Sequence, residues 1–308
     1  MLKKLVQKIR SSQSINRAIR NRLQKLNKKL ENAIAYWPPV GIVNLNFNGI
    51  AFKAFSNADD HIVTNLFYNQ SYHETSDLKC FLHLAKNSKT IFDIGANTGI
   101  YSILSAYTNR TATIYSFEPF SSNIERLKKN IFLNEVEGIE IVPKAVGEKE
   151  EVINFTVPES NSISDTSSAI KGFSEYTYEG SLKWKTIQVP QTSLDNFVLD
   201  KHLPGIDLIK IDVEGYEVML FKGAVKTFEQ FSPIIQCEIF VDEEKKKFFD
   251  DFALRYGYTI YRVMNEGLLR LDEGLTTDRQ GLNFLFSKKR LDPVYIPFDR
   301  ISELIENT

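Results

Sequence analysis

Cysteine is nearly absent. Cys80 and Cys237 are the only two in 308 residues, too few for a disulfide scaffold or a cysteine-rich zinc site. A reducing, cytoplasmic setting is the simplest reading. No run of roughly 18 apolar residues occurs, which excludes a membrane-spanning helix. Lys3, Lys4 and Lys8 open the chain without the apolar stretch of a secretory signal behind them. There is no G-x-G-x-x-G and no G-x-x-x-x-G-K-[ST] anywhere, so a nicotinamide dehydrogenase and a phosphate-loop enzyme are both disfavoured. What is present suits a packed core: 43% hydrophobic residues, with 22 Phe and 13 Tyr, rule out disorder as the main state.

The net charge of −1 conceals an asymmetry. Residues 1–30 hold six Lys and four Arg and no acid, leaving 28 basic against 39 acidic residues in the rest. An acidic body lacks the broad basic face of nucleic-acid binders, and no nucleic-acid partner is expected. Residues 1–36 form a basic amphipathic arm. Ile15, Ile19, Leu23, Leu26 and Leu30 recur at helical spacing. The arm has two readings: a helix docked on the body or on a second subunit of an oligomer, or a peripheral anchor in which residues 1–30 meet an anionic inner-membrane surface. "WPPVG" (Trp37 to Gly41) ends it. Residues 37–89 read as short strands followed by a mixed helical stretch.

From residue 90 to about 290 strands and helices alternate: "TIFDIG", "GIYSILSAY", "ATIYSFEP", "NIERLKKNIFLN", "IEIVPKAVG", then "DLIKIDVEG", "EVMLFKGAVKTFEQF" and "PIIQCEIF". That rhythm predicts a parallel sheet with crossover helices. Residues 158–186 interrupt it with a long polar insertion, of the kind that folds over a site. Residues 258–287 read as closing antiparallel strands, and 291–308 as a C-terminal tail.

"DIGANTG" (Asp93 to Gly99) sits at a strand-to-helix turn, where α/β sheets bind ligands. Gly95 and Gly99 permit a tight turn and a close backbone approach. The leading Asp93 would repel a phosphate and suits a cationic or hydroxyl-bearing ligand. Glu118 ends the next strand and can accept two hydrogen bonds from ribose hydroxyls. Together they read as a site for S-adenosyl-L-methionine. In "LIKIDVEGYE", Lys210 and Asp212 are two apart and share a face of a buried strand. Glu214 follows, and Glu238 ends the neighbouring strand. Buried charges of this kind serve a site or an ion pair.

"FDIGANTGIYS", "FEPFSSNIERLKKNI", "KAVG", "TSLDNF" and "IKIDVEGYEVMLFKGA" together resemble the FkbM family of S-adenosylmethionine-dependent methyltransferases. The resemblance covers about Ile91 to Phe240. It implies a class I methyltransferase (Rossmann-like) α/β fold: a mostly parallel seven-stranded sheet with helices on both faces, here with an N-terminal amphipathic helix added. It also implies O-methylation of a sugar, in a glycan or glycolipid, or of a natural-product hydroxyl. On that reading Asp93 faces the cofactor's amino-acid end, directly or through water, with Gly95, Asn97 and Gly99 forming the turn beneath. Glu118 holds the ribose, Pro119 walls the adenine, Lys144 and Ala145 frame its edge, and Glu74 closes on the methionine moiety. Removing the hydroxyl proton calls for a base. Asp212 is the first choice and Glu238 the second, with Lys210 keeping Asp212 ionised and Asp212 also within reach of the cofactor. No metal is called for, although Asp212, Glu214 and Glu238 are hard oxygen ligands. The rivals are a nucleic-acid methyltransferase, which lacks its N-P-P-Y tetrapeptide here, and a non-catalytic cofactor-binding module acting through the basic arm.

Overall fold

Asn48 and Gly49, both at positive φ, turn the chain between β1 (Val40–Phe47) and β2 (Ile50–Asn57), an antiparallel hairpin whose buried and exposed residues alternate. The computed structural model describes residues 9–25, 37–159, 167–169, 183–277 and 282–304. After the hairpin, α2 (His61–Asn69) starts where Asp60 accepts from the Val63 amide, and α3 (Thr75–Ala85) follows.

The parallel half of the main sheet holds β3 (Thr90–Ile94), β4 (Thr113–Phe117), β5 (Ile139–Val142), β9 (Leu208–Ile211) and β10 (Ile234–Glu238). Strands β11 (Thr259–Met264), β12 (Gly267–Arg270), β13 (Asn283–Ser287) and β14 (Tyr295–Pro297) continue it with antiparallel pairings. The nine-stranded order is β14-β12-β11-β13-β10-β9-β3-β4-β5. The expected seven-stranded sheet is therefore present, and β12 and β14 extend its β11 edge. The parallel strands other than the edge strand β5 are buried on both faces, and their residues alternate between two cores. Ile91, Leu208 and Ile234 face the hairpin with α2, α3 and α4 (Ile100–Thr108), where the phenyl and phenol rings of Phe81 and Tyr101 meet edge to face. Phe92, Ile209 and Ile235 face a phenylalanine-rich layer from α6 (Leu194–Lys201), α7 (Glu217–Lys222), α8 (Val225–Phe231) and α9 (Glu243–Tyr256).

The structure refines three sequence expectations. "IEIVPKAVG" is two strands: β5 stops at Val142, and β6 (Ala145–Val146) joins a separate three-stranded sheet of order β6-β8-β7, with β7 (Glu151–Pro158) and β8 (Trp184–Thr192). Pro143, which has no amide to donate, lies between them. Much of the polar insertion lies outside the described residues. Its ends, however, continue this β7–β8 ribbon, and Ser168 bridges to Thr156. Finally, residues 291–304 join the body, because β14 pairs with β12, and Phe298, Ile301 and Leu304 of a 3-10 turn are buried in the core beside α3.

Of the arm, α1 (Gln13–Lys25) is described, and it docks on the body. Asn16 is buried and accepts from the Trp37 indole, Arg10 stacks over Trp37, and Arg20 stacks over Phe67 and donates to its carbonyl. Ile19 packs on the core while Ile15 is exposed, and the Leu26 and Leu30 end of the stripe lies outside the described residues. No helix among the described residues is long and apolar enough to cross a membrane.

Buried Arg126 of α5 (Ser121–Asn134) clamps the hairpin to the sheet, pairing with both oxygens of Asp59 and donating to the Phe55 carbonyl. Arg126→Met strands a mostly buried carboxylate. It should cost about 2 kcal/mol in denaturant unfolding, below the range for fully buried pairs because Asp59 is partly solvated.

Candidate active site

Strand order reverses at β3, which pairs with β4 on one side and β9 on the other, and a crevice opens at the carboxyl ends there. It holds a cavity of about 390 Å³, in the range of small-molecule sites. Its floor follows from register. Ser116, Asp93, Lys210 and Gln236 lie side by side on four adjacent strands, all on the α3–α4 face. A polar row this deep largely satisfies itself, with Asp93 Oδ1 and Gln236 Oε1 left without a hydrogen-bond partner among the described residues. Ser102 of α4 reaches both Asp93 (2.6 Å) and Ser116 (2.6 Å), and Lys210 donates to Asp212 Oδ2 at 2.9 Å.

Two residues further along their strands, Asp212 and Glu238 emerge on that same face. There they meet Glu74, which precedes α3, and carboxylate oxygens of the three lie within 4.8 Å of one another. Lys210 is buried beneath them with its ammonium 4.5 Å from the centre of the Tyr101 ring. Burial alone would lower its pKa, but Asp212, Asp93 and Glu74 outweigh that and raise it. Burial likewise works to raise Glu74, yet His73, Lys210 and Tyr101 together hold it below its ordinary value; His73 Nε2 lies 3.4 Å and the Tyr101 hydroxyl 3.3 Å from it. Glu238 is pushed well up, by burial first and then by Asp212, Glu74 and Glu214.

On the other side, Gly95 (φ +82°) passes so close to β9 that a Cβ there would sit 1.8 Å from the Asp212 carbonyl oxygen. Asn97 follows at φ 49°. Glu118 is buried and braced, accepting from the Asn97 amide at 2.9 Å and the Phe120 amide at 2.8 Å. Burial lifts its carboxyl to about 7 against the pull of those amides.

Of the residues expected from sequence, Glu74, Gly95, Asn97, Glu118, Pro119, Lys144, Ala145, Lys210, Asp212, Glu214 and Glu238 all border this cavity. Asp93 and Gly99 do not. Asp93 is 1% exposed and turned toward Ser102 and Lys210, so its carboxyl supports Lys210 from below rather than facing a ligand. Gly99 serves packing, since a Cβ there would lie 2.2 Å from the Leu127 side chain. The acidic trio contains Glu74 where the sequence had suggested Glu214. Sequence reasoning missed Tyr72, Tyr101, His61 and Phe155 in the lining. Tyr101 alone carried a signal, in the first helical turn after Gly99. Phe155 belongs to the small sheet, which nothing in the sequence announced.

The crevice suits S-adenosylmethionine on its own evidence. The Asn97 side-chain oxygen is buried without a donor among the described residues, Gly95 lets the backbone pass where no side chain would fit, and Glu74 gives an anionic wall that suits an ammonium. Fold and site together are those of a methyltransferase domain of the S-adenosylmethionine-dependent class. The chain belongs to the FkbM methyltransferase family, whose domain matches residues 93–260. Over 167 residues it is 26% identical to the hexuronic acid methyltransferase AglP of Haloferax volcanii, covering 53% of this chain and 61% of that protein. Over 142 residues it is 24% identical to methyltransferase 1 of Beauveria bassiana, covering 43% and 57%. The matches thus span about three fifths of these curated relatives. A crystal structure of an FkbM methyltransferase from Methylobacillus flagellatus superposes with a TM-score of 0.42 at 16% identity, covering 74% of this chain and 55% of that one.

Proposed function

We propose that this protein methylates a hydroxyl group of a sugar, with Asp212 as the base that removes the hydroxyl proton. The observation that carries the reading is the Lys210–Asp212 pair, a carboxylate fixed by a buried ammonium at the cavity floor. The similarity to a hexuronic acid methyltransferase supports a sugar acceptor.

S-adenosylmethionine supplies an electrophilic methyl group on a sulfonium when it is bound. Gly95, Asn97 and Glu118 hold the nucleoside side of the crevice, Pro119, Lys144 and Ala145 edge the base, and Glu74 faces the amino-acid end. The enzyme's work is alignment together with proton removal, which contributes about 10²–10⁴-fold. Lys210 keeps the Asp212 carboxylate aimed, and Asp93 and Ser102 keep Lys210 in place. The test is methyl transfer from isotope-labelled donor to a panel of methyl glycosides. Label recovered on a sugar oxygen supports the reading, and label confined to nucleic acid would overturn it.

Glu118 gives donor binding a pH dependence. Its carboxyl is raised to about 7 in the free protein, so its stabilising contribution is present below the ordinary carboxylate value and lost as pH rises through about 7. Ribose hydroxyls donate to the ionised form, so binding draws the proton off. Donor affinity should rise about tenfold between about pH 6 and 8. In Glu118→Gln the same calorimetric titration should be flatter, and an unchanged slope there would remove Glu118 from the account.

A further inference from the structure

The four acids at the cavity floor are not equivalent. Asp212 has the Lys210 ammonium, and Glu74 has the His73 imidazole and the Tyr101 hydroxyl. Glu214 rides on the turn after β9 at φ 52°. Among the described residues none donates a hydrogen bond to the Glu238 carboxyl, although its oxygens lie within 4.8 Å of those of Asp212 and Glu74. β9 and β10 pair in parallel up to Ile211 and Cys237, so Asp212 and Glu238 leave the sheet side by side.

A carboxyl in that position is better neutral than charged. Burial and the charges of Asp212, Glu74 and Glu214 all favour its protonated form, and Lys210, committed to Asp212, opposes them only partly. The two neighbouring carboxyls are held differently, Asp212 by the Lys210 ammonium and Glu238 by no donor among the described residues, and so can take different roles. Asp212 accepts a proton, and the protonated Glu238 donates a hydrogen bond. Hydroxyls on adjacent ring carbons present a matching pair of oxygens, one to be deprotonated and one to be held.

We propose that Glu238 selects the acceptor by hydrogen bonding the hydroxyl next to the one that Asp212 deprotonates, so that the substrate is a vicinal diol on a sugar ring. This rests on the sugar O-methyltransferase reading above. In the step itself the reacting oxygen gains the methyl carbon, the carbon–sulfur bond breaks with its electron pair left on sulfur, and the hydroxyl proton ends on Asp212. Glu238 keeps its own proton throughout. It holds the neighbouring oxygen and thereby fixes which hydroxyl faces the methyl group.

The full-length protein can be tested with methyl glycosides of glucuronic acid, galacturonic acid, glucose and mannose, each beside monodeoxy analogues lacking one hydroxyl. Removing the neighbouring hydroxyl from an accepted sugar should lower kcat/KM about tenfold to a hundredfold in the wild type, chiefly through KM. Glu238→Gln, whose amide still donates, should keep most of that discrimination. Glu238→Leu should erase it, treating parent and deoxy sugar alike within about threefold. Infrared difference spectra at neutral pH should show a protonated-carboxyl band that Glu238→Gln removes, a readout that needs no acceptor. Equal use of parent and deoxy sugars by the wild type, or a penalty that survives in Glu238→Leu, would overturn the diol inference and leave the sugar reading standing. Absence of the infrared band would overturn the donor role of Glu238. Methylation of no panel sugar by protein that binds the donor would sink the sugar reading, and the diol inference with it.

Discussion

Asp212→Asn should slow single-turnover methyl transfer by about 10²–10⁴-fold. The substitution keeps the shape of the side chain and can still accept from the Lys210 ammonium, now at 2.9 Å from Oδ2. What it removes is the proton acceptor. Donor affinity should change far less, because Gly95, Asn97 and Glu118 hold the other side of the crevice and do not depend on the Asp212 carboxylate. Rate and affinity measured on the same samples separate the two roles. Near-normal turnover would move the base to Glu238, while a parallel loss of donor affinity would make Asp212 a donor contact. Lys210→Met serves as companion. It takes the buried cation away from Asp212 and Asp93 together, so its damage should include stability as well as rate.

Gly95→Ala should be strongly destabilising. At φ +82° any side chain is strained, and here the added carbon would lie 1.8 Å from the Asp212 carbonyl oxygen. That oxygen lies directly after β9, whose last residue Ile211 is paired on both sides, and the Asp212 amide itself donates to the Ile94 carbonyl, so the backbone cannot swing aside. A loss of about 3 kcal/mol in unfolding free energy is expected, with donor affinity falling at least about tenfold. Gly257→Ala is the control. Its φ is +72°, but nothing lies within 4 Å of the added carbon, so only the left-handed strain of about 1 kcal/mol remains. Equal costs at the two positions would mean that the β3–β9 approach is looser than the geometry indicates.

Much of this was legible because the signals were local. The strand–helix alternation fixes a parallel sheet, and a glycine turn after its first strand fixes where the ligand crevice opens. The two-residue period of a strand correctly put Lys210 and Asp212 on one face. The same period does not decide Asp93: it shares a face with Lys210 and Asp212, but its side chain turns to Ser102 of the following helix instead of into the crevice. A strand-end aspartate looks alike in sequence whichever way it turns. Glu74 was legible as an acid near the site, but its partnership with Asp212 and Glu238 joins a helix start to two strand ends far along the chain, and spacing carries no trace of it. The small sheet stayed hidden for a related reason. Pro143 divides what reads as one apolar strand, and the β7–β8 ribbon borders a polar insertion whose composition signals only loop.

The central claim is that the crevice between β3 and β9 delivers a methyl group to a sugar oxygen under the control of Asp212. The most direct measurement uses donor labelled with carbon-13 in the methyl group, with nuclear magnetic resonance of the product formed by wild type and Asp212→Asn under identical donor occupancy. The account predicts a methyl ether carbon on a sugar ring from the wild type and almost none from the variant in the same time. A methyl signal on nitrogen or carbon, or equal ether yields from both proteins, would contradict it.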